Sequence, residues 1–138
     1  MREILFRGKT YGDKWVYGDL NHYVKDNNDD MFIRDIAFKY TVCPSTIGQY
    51  TGLKDKNGTQ VFEGDIMKHN PRSYGLTTDR YNKEEVIFDN GCFGFKINDY
   101  FEAIPFNDSE FGVVLNNEII DYEVVGNIHD NPELLKED

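Results

Sequence analysis

The chain has 138 residues and a formal net charge of −10, from 25 acidic against 15 basic side chains, and 14% of its residues are aromatic. The aromatic content excludes a disordered chain, and the length suits one ordinary domain or two small lobes that share a core. Nucleic acid is a disfavoured partner, because phosphates repel an acidic chain unless its bases cluster on one face. The apolar runs are too short to cross a bilayer, so no membrane partner is expected.

The start of the chain predicts an N-terminal β-hairpin. "EILFRG" and "WVYGDL" are typical strands, and "KTYGDK" between them is a typical turn. The polar stretch "NHYVKDNNDD" that follows predicts a loop or a poorly ordered tip. In "MFIRDIAF" the β-branched and aromatic residues favour a strand, although Phe32, Ile36 and Ala37 tolerate a helix face.

Residues 48–69, "GQYTGLKDKNGTQVFEGDIMKH", predict a tight turn between two strands. The Asn57-Gly58 step is a strong hairpin signal, because both residue types tolerate positive φ. Gly64 marks a bulge or a close backbone approach, and residues 65–69 read as the next strand.

The second half of the chain predicts more strands and one helical turn. Residues 70–83 read as a long surface loop, whereas "EVIFDNGCFGFKI" is the clearest hairpin after that loop. One or two further strands flank an Asn116-Asn117 turn. Asn131 as a helix cap, with Pro132 in the first helical position, predicts a short helical turn at the end.

Period-two placement within these strands predicts the core. Its expected members are Trp15, Val16, Leu20, Leu53, Val61, Phe62, Ile66, Val86, Phe88, Phe93, Phe95, Val124 and Ile128. Five or six short strands with tight turns indicate a mainly β barrel or sandwich.

Four segments resemble the YopX family of small phage and prophage proteins. They are "FRGK", "WVYGDL", "TIGQYTGLKDKNG" with "FEGDI", and "VVGNIHDNPELL", in this order. The resemblance implies a small SH3-like β-barrel and self-association, and it leaves the biochemical role open. The long insert at 70–83 and the added residues around 107–117 depart from the family pattern, which puts any shared surface in doubt. The structural positions expected within the motifs are Gly52, Asp55, Asn57, Gly58, Gly64, Asp65, Gly126, Asn127 and Pro132.

Candidate chemical groups are few. Glu63 and Asp65 flank Gly64 and would share one face of a strand, as paired acid–base carboxylates do, but no partner base stands near them in the sequence. Three histidines, His22, His69 and His129, lie in separate segments without metal-ligand spacing. We expect no catalytic, metal or cofactor site, and the Glu63 and Asp65 carboxylates to be solvated or to cap backbone N–H groups.

Cys43 and Cys92 are the only cysteines, and no apolar leader begins the chain. These features predict free thiols and a cytoplasmic protein. Neither cysteine has Cys-x-x-Cys spacing or an adjacent base, so both are expected to be small core residues.

Aromatic residues in the expected loops form the candidate interaction surface. They are Tyr74, Tyr81, Tyr100, Phe101, Phe106 and Phe111. Aromatic side chains are enriched at protein interfaces, so these residues either bind a partner or cover the open ends of the barrel.

The expected organisation is an N-terminal hairpin region over residues 1–46, packed on a barrel over 47–138. The expected function is a non-enzymatic protein-interaction or self-assembling module of a phage or prophage. Its partners would be a second copy and a host or phage protein. The alternatives are a nucleic-acid-binding small barrel, by analogy of fold alone, and an acidic mimic that binds a host nucleic-acid-processing protein.

Overall fold

A computed structural model describes residues 3–25, 28–69, 83–89, 91–97, 102–105, 114–115, 117–119 and 122–135. Across these residues the protein is mainly β, with twelve strands and one short 3-10 helix near the C-terminus. The mainly β fold class predicted from the sequence is therefore confirmed. The chain forms two compact units, Met1–Tyr50 and Thr51–Asp138.

The first unit is a small closed sheet. Its strands are β1 (Phe6–Thr10), β2 (Trp15–Lys25), β3 (Asn28–Arg34) and β4 (Lys39–Lys54), of which β4 runs on past the end of the unit. Each strand pairs antiparallel with the next, and β1 also pairs with β4. The hydrogen-bonded pairing thus returns to its first strand.

Alternating side chains fill the interior of this sheet. Val16, Ile33 and Val42 are buried and come from three different strands, with Phe6 and Leu20 packed against them. Gly8 lies over Val42, where an added Cβ would come 3.0 Å from that side chain. The close approach of these strands therefore depends on a residue without a side chain.

The second unit is built around a five-stranded antiparallel sheet in the order β12-β6-β7-β8-β9. Its strands and the helix are β5 (Gln60–Phe62), β6 (Asp65–His69), β7 (Lys83–Asp89), β8 (Cys92–Ile97), β9 (Glu102–Pro105), β10 (Val114–Leu115), β11 (Glu118–Ile119), β12 (Tyr122–Asn127) and the 3-10 helix Pro132–Leu135. The last residues of β4 pair with β5, and Lys54 lies beside Glu118 of β11 in a parallel bridge.

The core of the second unit contains Val61, Met67, Val86, Phe95, Ile119 and Tyr122. The rings of Phe95 and Tyr122 stack with their centroids 4.7 Å apart. Leu53, Phe93 and Val124 pack against this cluster and are partly buried. Burial of several aromatic and aliphatic side chains of this size is the main stabilising contribution available to a unit this small.

The predicted core is confirmed with one exception. Twelve of its thirteen members are buried or half-buried. Phe88 is the exception, since half of its surface is exposed and its ring meets Phe93 edge-on at 4.9 Å. The predicted list also omitted Ile33, Val42 and Met67, which are among the most buried side chains.

Two predictions for the first unit are wrong. Residues 21–30 were predicted as a loop, but β2 continues to Lys25 and β3 begins at Asn28. Seven residue pairs join these two strands, so cross-strand pairing overrides the polar local composition. The predicted strand "MFIRDIAF" ends at Arg34, and residues 35–38 form a turn.

The predicted loop at 70–83 lies almost wholly outside the described residues, and its last residue, Lys83, begins β7. Among the described residues there is no helix of the length and apolar character required to cross a membrane.

Candidate functional site

The charged turn at residues 54–59 is a structural element, as expected from its Asn-Gly step. Gly58 has a φ of 82°, and its N–H donates to the Asp55 carbonyl at 3.0 Å. Asp55 N–H in turn donates to the Thr59 carbonyl at 2.9 Å. A left-handed glycine at this position closes the hairpin between β4 and β5.

The Asp55 carboxylate is almost fully buried and binds backbone groups on two segments. Its Oδ1 accepts hydrogen bonds from Asn57 N–H at 2.8 Å and Thr59 N–H at 2.9 Å. Its Oδ2 accepts the N–H of Val124, on β12, at 2.9 Å. Lys56 N–H donates to the Tyr122 carbonyl at 3.0 Å. The turn therefore occupies backbone groups of β12 that would otherwise be open to another strand.

Asp65, half of the suspected acid–base pair, has a similar structural role. Its Oδ2 accepts the Phe62 N–H at 2.8 Å, and only 3% of the residue is exposed. Gly64 has a φ of 94°, donates to the Val86 carbonyl at 2.8 Å and accepts from Ile128 N–H at 2.9 Å. Asp65 thus caps a tight turn between β5 and β6, in agreement with the capping interpretation. Its neighbour Glu63 is half-buried.

The "GNIHDNP" segment is a second structural motif. Asn127 Oδ1 accepts the N–H groups of His129 at 3.0 Å and Asp130 at 2.9 Å. Asn131 Oδ1 accepts the Asn127 N–H at 3.3 Å, so this side chain bonds back to β12. Pro132 begins the 3-10 helix, which confirms the predicted helical turn.

Glu84 is the described carboxyl with the most altered acidity. It lies opposite the buried Met67 and two residues before the buried Val86, which places it on the core-facing side of β7. Burial raises the pKa of Glu84 to about 7, although a hydrogen bond from Tyr122 opposes the shift. A carboxyl of this kind can exchange a proton near neutral pH, which makes it a pH-responsive core group.

Other reactive side chains have ordinary surroundings. Both cysteines are free and half-buried; Cys92 Sγ donates to the Asp89 carbonyl at 3.3 Å, and Cys43 Sγ lies 3.4 Å from Ser45 Oγ. In the part of the chain that the structure describes, no three His, Cys, Asp or Glu residues are grouped so that they could hold a metal ion.

The most unusual surface feature is the turn of residues 35–38, which we call the apolar turn. Asp35 N–H donates to the Phe38 carbonyl at 3.0 Å, and Asp35 Oδ1 accepts the N–H groups of Phe38 at 2.7 Å and Ala37 at 2.8 Å. These two donors, Phe38 first, hold the pKa of Asp35 below its usual value. Ile36 is completely exposed, and Phe38 is 64% exposed. A well-defined backbone thus presents two large apolar side chains to solvent.

Cationic side chains surround the apolar turn. The Tyr40 ring lies 6.1 Å from that of Phe38, and Lys14 Nζ lies 5.6 Å from the Tyr40 ring. Lys39 Nζ lies 4.4 Å above the Phe32 ring, and Arg34 is exposed at the end of β3. Lysines placed over aromatic faces keep their stems against apolar surface while the charge stays in water.

A further exposed aromatic stands on the adjoining turn between β1 and β2. Tyr11 is 71% exposed, and the same turn carries Lys14, whose charge acts on Asp35. The turn is closed by Thr10, whose N–H donates to the Lys14 carbonyl at 2.9 Å and whose Oγ1 accepts the Lys14 N–H at 3.1 Å. The two turns therefore lie at the same end of the first unit.

The candidate interaction residues chosen from the sequence, Tyr74, Tyr81, Tyr100, Phe101, Phe106 and Phe111, all lie outside the described residues. Sequence reasoning missed Tyr11, Ile36 and Phe38. Reading "MFIRDIAF" as a continuous strand concealed the turn, and the available signal was Asp35, a residue type that favours the first position of a turn.

The comparisons with known proteins agree with this architecture. The family model described as YopX protein matches residues 5–136. The crystal structure of protein EF1440 from Enterococcus faecalis is similar, with a TM-score of 0.55 and 25% sequence identity over 99% of this chain and 100% of that chain. No curated protein sequence matches the chain. A match over nearly all of the chain shows that it belongs to the YopX family.

Proposed function

We propose that this protein is a non-enzymatic protein-binding module of a phage or prophage, with the apolar turn as its contact element. The observation that carries the proposal is that Ile36 and Phe38 stand in solvent on a turn held by three hydrogen bonds from or to Asp35. Burying a side chain of this size against a partner contributes about 1.5–3 kcal/mol. A turn already held in one conformation loses little entropy on binding.

The division of charge supports the first unit as the contact element. Met1–Tyr50 contains seven Lys and Arg against seven Asp and Glu, and Thr51–Asp138 contains eight against eighteen. The difference is zero for the first unit and −10 for the second. A partner that meets the first unit therefore encounters no net repulsion from it, whatever the sign of the partner's own charge.

The structural use of the best-placed carboxylates supports a role without catalysis. Asp65 is half of the suspected acid–base pair, Asp55 stands in the turn before it, and both carboxylates accept hydrogen bonds from backbone N–H groups. An acid–base mechanism needs a carboxyl whose oxygens can reach a substrate. These two carboxylates serve the fold instead.

Self-association is part of the proposal. It uses exposed apolar residues of the first unit outside the apolar turn, such as Ile4 and Tyr17, and screening of the second unit's acids by salt would strengthen such a contact. An acidic mimic of nucleic acid is the second candidate, and the concentration of the whole net charge in Thr51–Asp138 favours it.

A double variant, Ile36→Ser with Phe38→Ser, tests the proposal. Affinity capture from bacterial lysate should show loss of partner binding for this variant, whereas light scattering at two salt concentrations should show unchanged self-association. Phe88→Ser is the matched control, because it removes a half-exposed phenyl ring from the second unit. Equal capture of a partner by the double variant and the wild type would contradict the proposal, and equal loss in the control would point to a general hydrophobic effect.

A further inference from the structure

The charges around the apolar turn restrict the kind of surface it can meet. Lys14, Arg34 and Lys39 are exposed near the turn, and Asp35 is the acid within it. Asp19, which lies opposite Arg34, is the second acid beside these three cations, and Asp13 is already paired with Lys9 at 3.8 Å. The three cations thus outnumber the two acids Asp35 and Asp19, so the rim of the turn carries a positive excess on a chain whose net charge is −10.

We infer that the apolar turn docks into an apolar pocket of a different protein, with carboxylates of that protein at the rim of the pocket. This inference rests on the proposed protein-binding function and names the chemistry of the partner. Ile36 and Phe38 fill the pocket, and Lys14, Arg34 and Lys39 face its acidic rim. Apolar centres with a complementary charged rim are the usual arrangement of specific interfaces.

A second copy bound turn to turn does not satisfy this chemistry. A two-fold contact brings the same patch of both copies together. Lys14, Arg34 and Lys39 of one copy would then face the same three cations of the other. Like charges at an interface weaken it, so a symmetric contact through the apolar turn is disfavoured.

An anionic membrane surface is also disfavoured. It is an extended plane of negative charge, and it repels a chain that carries −10 over its whole approach. Carboxylates at the rim of one pocket act only within a Debye length, which is about 8 Å at physiological salt. Such a rim therefore attracts Lys14, Arg34 and Lys39 at short range, whereas an anionic membrane also repels the net charge of the whole chain.

Site-specific crosslinking tests the inference in the full-length chain. Phe38 is replaced by the photoreactive p-benzoylphenylalanine, the chain is irradiated in living bacteria, and mass spectrometry identifies the crosslinked peptides. The expected product is a second protein, attached at an apolar segment with Asp or Glu residues around it. The affinity of that partner, measured with the purified proteins, should fall as salt rises.

Two matched charge reversals distinguish the effect of the cations around the apolar turn from the effect of the chain's net charge. Lys14→Glu with Lys39→Glu should reduce crosslinking and affinity about tenfold or more. Lys54→Glu with Lys56→Glu changes the net charge equally at two exposed positions of the second unit and should have little effect. The melting temperature of each variant confirms that it folds.

Three outcomes would overturn the inference while leaving protein binding intact: a crosslink to a second copy, attachment to a protein segment without carboxylates, or equal losses in the two charge reversals. Crosslinks to lipid alone, or to no macromolecule, would overturn both the inference and the proposed function.

Discussion

The Asp55 carboxylate accepts the Val124 N–H at 2.9 Å, which joins a hairpin turn to a strand 69 residues further along the chain. The same carboxylate binds two N–H groups of its own turn. The Asp55 side chain stands among charged turn residues in the sequence, but in the structure it is buried and links β12 to the turn at 54–59 through hydrogen bonds.

Asp55→Ala should lower the free energy of unfolding by about 2–4 kcal/mol, because it leaves the Val124 N–H without its acceptor in a partly buried position. Asp55→Asn keeps one oxygen, which can serve the turn or β12 but not both, so its loss should be smaller. Urea unfolding measures both values. Asp19→Ala, which removes an exposed carboxylate, is the control. A loss of stability as large in the control would show that removal of a negative charge, and not loss of the hydrogen bonds to Asp55, is responsible.

Gly58→Val should lower stability by about 1–2 kcal/mol through backbone strain alone. Gly58 has a φ of 82°, and apart from its two chain neighbours no residue lies within 4 Å of the position its Cβ would take, so steric overlap with other parts of the fold does not contribute. Gly58→Asn should cost less, since asparagine tolerates this conformation. Lys56→Ala, next to the same turn and exposed, should be nearly neutral. Thermal unfolding compares the three, and equal melting temperatures would argue against the turn.

Gly126→Ala should destabilise the C-terminal turn for a different reason. A Cβ at this position would lie 2.6 Å from Asn131 Oδ1 and 2.9 Å from Leu134 Cδ1, so these two side chains must move. We expect a loss of about 1–3 kcal/mol. Asn131→Ala in the same chain removes the closest contact, and the double variant should recover part of the loss. Strict additivity in this double-mutant cycle would contradict a direct clash.

Glu84→Gln should stabilise the protein at alkaline pH and leave it unchanged in acid. The pKa of Glu84 is raised from 4.5 to about 7 in the folded protein, chiefly by burial. Below pH 4.5 the carboxyl is neutral in both the folded and the unfolded chain, so its stabilising contribution is fully present. As pH rises from 4.5 through about 7 the unfolded chain ionises first and this contribution is lost, and above about 7 it stays lost. The loss is at most about 3 kcal/mol.

Melting curves at about pH 8 and about pH 4 test this, and the variant should melt several degrees higher at the alkaline value only. Burial also raises the pKa of Glu85, so part of the pH dependence should remain in the variant. Glu133→Gln, at an exposed position, is the control. A shift of equal size at both pH values would exclude ionisation of Glu84 as the cause.

The sequence alone determined the features that depend on a few neighbouring residues. Asn57-Gly58 and Pro132 identify their turns because φ preferences are local properties, and Gly58 indeed has a positive φ. Period-two alternation placed Val61, Val86 and Phe95 in the core, since strand geometry sends alternate side chains to one face. The family motifs followed from residue identity and order.

Only the tertiary structure decided the features that depend on partners distant in sequence. Pairing between β2 and β3 turned a polar stretch into strand, because cross-strand hydrogen bonds and packing outweigh weak local preference. The end of β3 at Arg34 left Ile36 and Phe38 in solvent, although their composition is that of core residues. The burial of Asp55 and Glu84 likewise depends on β12, which supplies the Val124 N–H and the Tyr122 hydroxyl. Local sequence specifies backbone preference, whereas burial and exposure are properties of the assembled strands.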